Sequence, residues 1–489
     1  MSSVGSRKTS HSYVRQLQQL IDDLQANGKL QQSVYQSACQ FFSDDPKQKQ
    51  LVATQEQLWQ QCQAELAQAT AKTEAALIAK VQQQRNSYQL AYQNYQRQLQ
   101  LRYEQLLQLC NKLLQLSEGN SPEETINRSS RLLGSLQLMA PSNGDFIASV
   151  QQKYKPFYKA VLSLRLLDDA IKYQLINDPY VHTQAKLRLE SGDLELCPFR
   201  QNVQIPLLMA QLLQDIGWCL PEIKQMFQGP AGEPLQQREF NPEERQHYLR
   251  LSLDVALKYL RHGMTQSPYR GHSKTERAEY QAAYQQRIQF SCRLLQSAAL
   301  PGDGLGNLLK IPQVYASAVL PGRNRFNYQA LPKVALILKN GARHGQYDDR
   351  LVNALLTITG IFPQGYGVVF LPKDAAGFSL EQYEFAIVNS LYPAKPEVPV
   401  CRVVSRKLQF RSSGVNCSVS VAQNLYFKPA RQQLAVIAPA RLKEILQKLS
   451  AGSDSDPLRY QLPRYWHPDQ YFADPKHQNL WNKTEILEN

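Results

Sequence analysis

The chain has 489 residues, enough for roughly two to four domains, and its 43% hydrophobic and 20% charged residues are those of an ordinary globular protein. A formal charge of +14 admits nucleic acid, an acidic membrane surface or a phosphorylated ligand as partners. The basic residues are scattered, however, with no Lys/Arg cluster and no nucleic-acid-reading motif, which speaks against a dedicated nucleic-acid role. No run of about eighteen apolar residues is present to span a membrane, and Met1 to His11 lacks the apolar core of a signal peptide. The eight cysteines lie far apart without a Cys-x-x-Cys pair, which argues against a zinc module or a disulfide framework and for reduced thiols in a cytoplasm.

Residues 12–118 read as helical. Leu17, Leu20, Ile21 and Leu24 make one short apolar face, with breaks expected at Asn27-Gly28 and at Asp44-Asp45-Pro46. From Lys47 to Glu118 there is neither glycine nor proline. The second half of that run keeps a seven-residue rhythm through Tyr88, Tyr92, Tyr95, Leu99, Leu106, Leu109, Leu113 and Leu116, interrupted at one seam position by Arg102. Alternating spacings of three and four keep a seam facing a partner helix, so the pattern predicts a coiled coil. It would form a homodimer, or dock a partner protein, through residues 47–118. A helix folded back on its own chain is the other arrangement the pattern allows.

Gly119-Asn120 ends this region and Ser121-Pro122-Glu123-Glu124 starts a new helix, with serine as N-cap and proline in the first turn. Helices follow at 146–177, 202–216, 242–261 and 275–299, the third opened by Asn241-Pro242-Glu243-Glu244. After Gly360-Ile361-Phe362-Pro363-Gln364-Gly365 the character changes. Tyr366–Leu371, Glu384–Val388, Val398–Val404 and Val415–Val421 are short, β-branched or aromatic, and separated by turn formers, so they predict strands. A closing helix is expected at 438–450 and a surface tail beyond it. The fold class is therefore mainly α, α+β overall. It comprises an N-terminal long helix or coiled coil (1–118), an all-α core (121–363), a small β-rich subdomain with its closing helix (364–450) and a C-terminal tail (451–489).

Three segments of the helical middle carry a family resemblance. They are Asn177-Asp178-Pro179-Tyr180-Val181-His182; Gln214-Asp215-Ile216-Gly217 with Leu220-Pro221-Glu222-Ile223 and Asn241-Pro242-Glu243-Glu244; and Gln346 to Leu355 running into Gly360–Gly365. Together they resemble the HD-GYP family, bacterial phosphodiesterases of the HD superfamily that open cyclic di-GMP at a two- or three-metal centre. The resemblance implies an HD-type helical core and a cytoplasmic bacterial signalling role.

The family's ligand set is largely missing. Gln214 stands where the family has the histidine of its His-Asp pair, and Trp218 where it has lysine. Leu251 occupies the place of a second metal-binding histidine, Val255 that of a small glycine and Ser317 that of a carboxylate. The Gly-Tyr-Pro segment is absent from 285–305. His182 and Asp215 remain. Two ligands do not hold a catalytic metal pair, and a glutamine carbonyl or a leucine cannot replace imidazole. No catalytic residue, metal or other cofactor is therefore expected. His182 has a structural reading as a hydrogen-bonded histidine near a helix start, and Asp215 as a partner of backbone N–H groups in its turn.

His262, His272 and His344 sit among arginines and lysines, which disfavours a divalent cation there, so they are expected as exposed or phosphate-facing groups. Arg323 and Arg325 resemble a family arginine segment and are candidate phosphate-binding residues. The resulting expectation is a pseudoenzyme acting as a binding or scaffolding module that senses cyclic di-GMP without hydrolysing it. The alternatives are an active phosphohydrolase with a rearranged iron, manganese or zinc site, and a purely structural coiled-coil organiser.

Overall fold

The computed structural model describes residues 4–25, 32–70, 73–141, 147–189, 194–228, 240–302, 304–320, 327–373, 379–380, 382–435, 463–482 and 486–487. The protein is mainly helical. Its helices are α1 (Val4–Leu24), α2 (Val34–Ser43), α3 (Asp45–Ala67), α4 (Glu74–Ser117), α5 (Pro122–Met139), α6 (Ile147–Lys172), α7 (Pro179–Ala185), α8 (Ile205–Leu213), α9 (Pro221–Gln228), α10 (Pro242–His262), α11 (Lys274–Ala298), α12 (Gly304–Val319), α13 (Val334–Arg343), α14 (Asp349–Thr359) and α15 (Lys428–Ala435), followed by a short helix at Asp469–Ala473. Contacts divide the chain into two compact units. The first comprises Met1–Leu20, Lys112–Arg200 and Gln296–Asn489; the second comprises Ile21–Asn111 and Gln201–Leu295. Residues 121–363, expected as one helical core, thus contribute to both units, because helices distant in sequence pack together.

In the first unit α6 packs on α12, α14 and α5. Its sheet contains β1 (Gly367–Phe370), β2 (Glu384–Val388), β3 (Val400–Val403), β6 (Asn416–Ser418) and β7 (Ile486–Leu487) in that order; a separate pair, β4 (Ser405–Arg406) and β5 (Gln409–Phe410), forms a hairpin. The pairings are antiparallel except that β6 and β7 run parallel. All four strands expected from β-branched and aromatic runs are present. Side chains alternate across a strand, so Val369, Phe385 and Ile387 enter one core with Leu138 of α5, while Val368, Phe370, Ala386 and Val388 enter another with Tyr328 and Phe362. Both faces of the sheet are covered, which is why β1 and β2 are buried throughout. Gly360 ends α14 with φ +64, and a Cβ there would sit 2.9 Å from the Pro396 carbonyl oxygen. Glycine is therefore required where the helix turns into the sheet.

The C-terminal segment is not a surface tail. Tyr471, Phe472, Leu480 and Trp481 belong to the same core cluster as Val369 and Phe385. Asn389 Nδ2 donates to the Leu480 carbonyl at 2.9 Å and Arg402 donates to the Asn482 carbonyl at 2.6 Å. Aromatic density, which suggested a covering strap, reflects side chains that fill the space beside the sheet. The closing helix expected at 438–450 lies outside the described residues.

The glycine-free run from Lys47 to Glu118, whose residues up to Asn111 belong to the second unit, is not one helix. It breaks after Ala67 and resumes at Glu74. Thr73 Oγ1 donates to the Thr70 carbonyl, a local bond of the kind by which threonine competes with helix continuation. Lys80 Nζ meets Glu65 at 2.9 Å, Trp59 stacks on Tyr88 at 5.5 Å, and Arg102 pairs with Asp45. These pairings converge on a turn near residue 70, so α3 and α4 run antiparallel as a hairpin. Seam residues Tyr95, Leu99, Leu106 and Leu109 are buried within the chain itself.

Arg102, the flaw in the seam, is 5% exposed and meets Asp45 in two-bonded fashion, Nη2 to Oδ1 at 2.6 Å and Nη1 to Oδ2 at 2.9 Å. The seam position is polar because the helix that covers it presents a carboxylate.

Candidate functional site

The stretch that ends in Gln214-Asp215-Ile216-Gly217 lies in the second unit. A π-helical turn at Arg200–Gln204 leads into α8, whose residues are all buried. A helix buried on every side, with Gln211 its one polar residue, belongs at the centre of a core. It is held at its start by α11: Ser291 Oγ donates to the Pro206 carbonyl at 3.0 Å, and Arg287 donates to Gln201 Oε1 and Asn202 Oδ1. At its other end Gln214 keeps helical dihedrals and Asp215 departs from them (φ −101, ψ 10). A 3-10 turn, Ile216–Cys219, then hands the chain to α9.

The turn is pressed against α10. A Cβ on Gly217 would lie 2.6 Å from Ser252 Oγ and 2.8 Å from Ile223 Cδ1, so glycine is set by the close approach of the helix that Asn241 opens. Asn241 and Glu244 form the expected reciprocal capping box. On α10, Ser252 and Val255 are buried, whereas Leu251, the position matched to the second histidine, is half-buried beside them.

Asp215 is half-buried and its side chain makes no capping bond to the 3-10 turn. Its charge instead acts on two buried phenols. Tyr35 and Tyr248 are both held well above the usual phenol range, chiefly by burial and next by the negative charge of Asp215. Tyr35 donates to the Leu212 carbonyl at 2.8 Å. Around Tyr248 an aromatic cluster gathers Phe227, Phe240 and, stacked on Phe227 at 4.2 Å, Trp218. Trp218, at the family's lysine position, is thus a packing residue. Neutral phenols beside a carboxylate are poor company for a divalent metal. Among the described residues no three His, Cys, Asp or Glu side chains come together as a metal site would require.

His182 lies in the first unit, Asp215 in the second. His182 sits on α7, whose N-cap Asp178 accepts from the Val181 N–H at 2.9 Å, and its Nε2 is 2.9 Å from the Ile176 carbonyl. The carbonyl can only accept, so Nε2 carries the proton. This is the structural role open to a histidine at a helix start. Ser317 is half-buried on α12 in the first unit. His262, His272 and His344 are exposed, and His344 Nδ1 lies 2.7 Å from the Asn340 carbonyl at the end of α13. Arg323 and Arg325 lie outside the described residues.

A small cleft of about 270 Å³ opens in the first unit, lined among others by Gln137, Gln151, Tyr328, His467 and Asp469. The Gln137 and Gln151 side-chain oxygens and His467 Nδ1 are buried without a protein partner, so the cleft can hold ordered water or a small polar molecule.

Burial holds the His467 imidazole below its usual value of 6.5, with Asp469 opposing. The unfolded chain then takes up this proton at higher pH than the folded one, so His467 removes stability as pH falls below about 6.5. The melting temperature is expected to fall between about pH 7.5 and 5.5, and His467→Gln should flatten that part of the profile. An unchanged slope in the variant would assign the effect to other groups.

Sequence reasoning missed Tyr35 and Tyr248, which carry no motif and reach Asp215 only through folding. It also missed the proximity of Cys39 to Cys219, which are 180 positions apart. Comparison of the chain with protein-family models, with curated proteins and with solved structures finds no match.

Proposed function

We propose that the chain is a catalytically degenerate HD-GYP-like signalling module that works by binding or scaffolding rather than by hydrolysis. The single observation carrying this reading is the setting of Asp215: its Asp-Ile-Gly turn is packed against α10, and the charge of the carboxylate acts on the buried phenols of Tyr35 and Tyr248. Hydrolysis by the family's route requires metal-bound water and a second positive centre at the developing oxyanion. Gln214, Leu251 and Ser317 supply neither. What remains is a helical framework with a strong net positive charge. That charge, with Arg323 and Arg325, motivates a cyclic dinucleotide as the ligand sensed.

The α3–α4 hairpin is the proposed docking element for a second copy or a partner protein. Leu51 and Leu58 are 52% and 38% exposed and seven residues apart on α3; Leu90 and Leu101 are 61% and 46% exposed and eleven apart on α4. Each pair lies on one helix face, and such apolar faces mark interaction surfaces when they are contiguous.

Elemental analysis and a calorimetric titration with cyclic di-GMP, both on the purified full chain, test the reading. The expected result is sub-stoichiometric iron, manganese and zinc, with dinucleotide binding that releases no linear product. Stoichiometric metal lost on His182→Ala would establish the rival, a phosphohydrolase with a rearranged site. Absence of affinity up to millimolar ligand would remove the dinucleotide and leave the scaffold.

A further inference from the structure

The eight cysteines show no pairing in the sequence, yet in the second unit Cys39 Sγ and Cys219 Sγ are 2.9 Å apart. Cys39 lies within α2, and Cys219 ends the 3-10 turn that follows Asp215. We propose that Cys39 and Cys219 are a redox-modification site, forming a reversible intramolecular disulfide that ties α2 to the turn after Asp215. This inference is independent of the HD-GYP-like reading, since it rests on the two sulfurs and their surroundings alone.

The sulfur separation is close to that of the product. A disulfide needs a sulfur separation of about 2.05 Å, so the two thiols reach bonding distance with a shift of less than one ångström. The two sulfurs are also differentiated. Cys39 is the half-buried cysteine of the eight, the other seven being buried. The Cys219 thiol donates to the Tyr35 carbonyl at 3.6 Å, while its contact with Cys39, opposed by burial and assisted by the positive charge of Lys224, draws the Cys39 thiol down to about 7. The contact with Cys39 and burial push the Cys219 thiol up. The thiolate therefore resides on the more accessible sulfur, and thiolate is the form that reacts.

A hydroperoxide supplies the oxidising equivalents. The Cys39 thiolate attacks the peroxide, the O–O bond breaks, and Cys39 becomes a sulfenic acid with loss of hydroxide, or of an alkoxide if the peroxide is organic. Cys219 sulfur then attacks the sulfenic sulfur; the S–S bond forms, the S–O bond breaks, and the thiol proton leaves with the hydroxyl as water. Two electrons pass from the two sulfurs to the peroxide. A dithiol reductant reverses the bond by exchange. The chain carries its own control in Cys401 and Cys417, which lie opposite each other on β3 and β6. Both are buried and pushed upward by that burial, so they lack the accessible thiolate that Cys39 provides.

The test treats the reduced full chain with hydrogen peroxide, blocks remaining thiols with iodoacetamide and maps the peptides by mass spectrometry, before and after dithiothreitol. The expected result is a reducible Cys39–Cys219 cross-link with the loss of two hydrogens, while Cys401 and Cys417 are recovered alkylated after denaturation. Cys219→Ser should accumulate sulfenic acid at Cys39, trapped by dimedone, and Cys39→Ser should leave Cys219 unoxidised. Circular dichroism matching the parent shows that the serine variants fold. Oxidation of Cys39 to sulfinic acid without a cross-link in the parent, or oxidation of all eight cysteines at one rate, would overturn the proposal.

Discussion

Arg102→Ala is expected to destabilise the protein by about 3 to 5 kcal/mol, the cost of leaving a buried charge without its partner. Arg102 and Asp45 are 5% and 1% exposed and share two hydrogen bonds; Arg102 also donates to the Gly263 carbonyl at 3.3 Å. Removing the guanidinium strands the Asp45 carboxylate beneath α4 and frees the end of α10. Urea unfolding gives the magnitude, and hydrogen exchange in peptides from residues 21–111 locates the loss. Arg102→Met combined with Asp45→Leu should recover much of it, because an apolar pair of similar volume avoids the desolvation penalty of both ions. A loss below about 1 kcal/mol, the range of exposed pairs, would show that water reaches the bridge and that the hairpin is held by its apolar contacts.

Trp481→Ala should cost about 3 to 5 kcal/mol as well, here through a cavity. The indole is 6% exposed and packs in the cluster that contains Leu138, Phe385 and Phe472. It lies so close to Gly134 that any side chain at that position would collide with the ring. Truncation opens space beneath the sheet that α5 and the short helix at Asp469–Ala473 cannot both close. Residues 463–482 are expected to lose hydrogen-exchange protection before α6 does. Exchange unchanged in that segment would return it to the status of a surface strap.

The parts of the fold legible in the sequence were those that local chemistry dictates. Ser121 caps α5 by accepting from the Glu124 N–H, as its position ahead of Pro122 implies, although Glu124 reaches back to the Asn120 N–H, one residue earlier than the serine. Asn241 and Glu244 close their capping box. The four principal strands follow β-branched runs because both faces of the sheet need apolar side chains. Gly360 and Gly217 sit where backbone or neighbouring helix allows no Cβ.

The candidate site was legible only as a position. Gln214 and Asp215 do end an apolar helix, and His182 does stand at a helix start. Nothing in their neighbours along the chain indicates that Asp215 would meet Tyr35 and Tyr248, or that His182 would satisfy a carbonyl six residues before it. The seam through Tyr95, Leu99 and Leu106 was correctly apolar, yet a heptad rhythm specifies only that a face must be covered. The break between Ala67 and Glu74 decides that part of the cover comes from the same chain.

By itself, then, the sequence determined the helical character of the described residues up to 363, the sheet that follows and the helix starts. Those features depend on dihedral preference, side-chain period and chemical identity, which are properties of a residue and its near neighbours. Only the tertiary structure decided that α3 folds back on α4, that Arg102 is paired with Asp45, that the C-terminal aromatics fill a core, and that Cys39 faces Cys219. Each of those depends on which distant surfaces exclude water together, and burial acts through space without regard to distance along the chain.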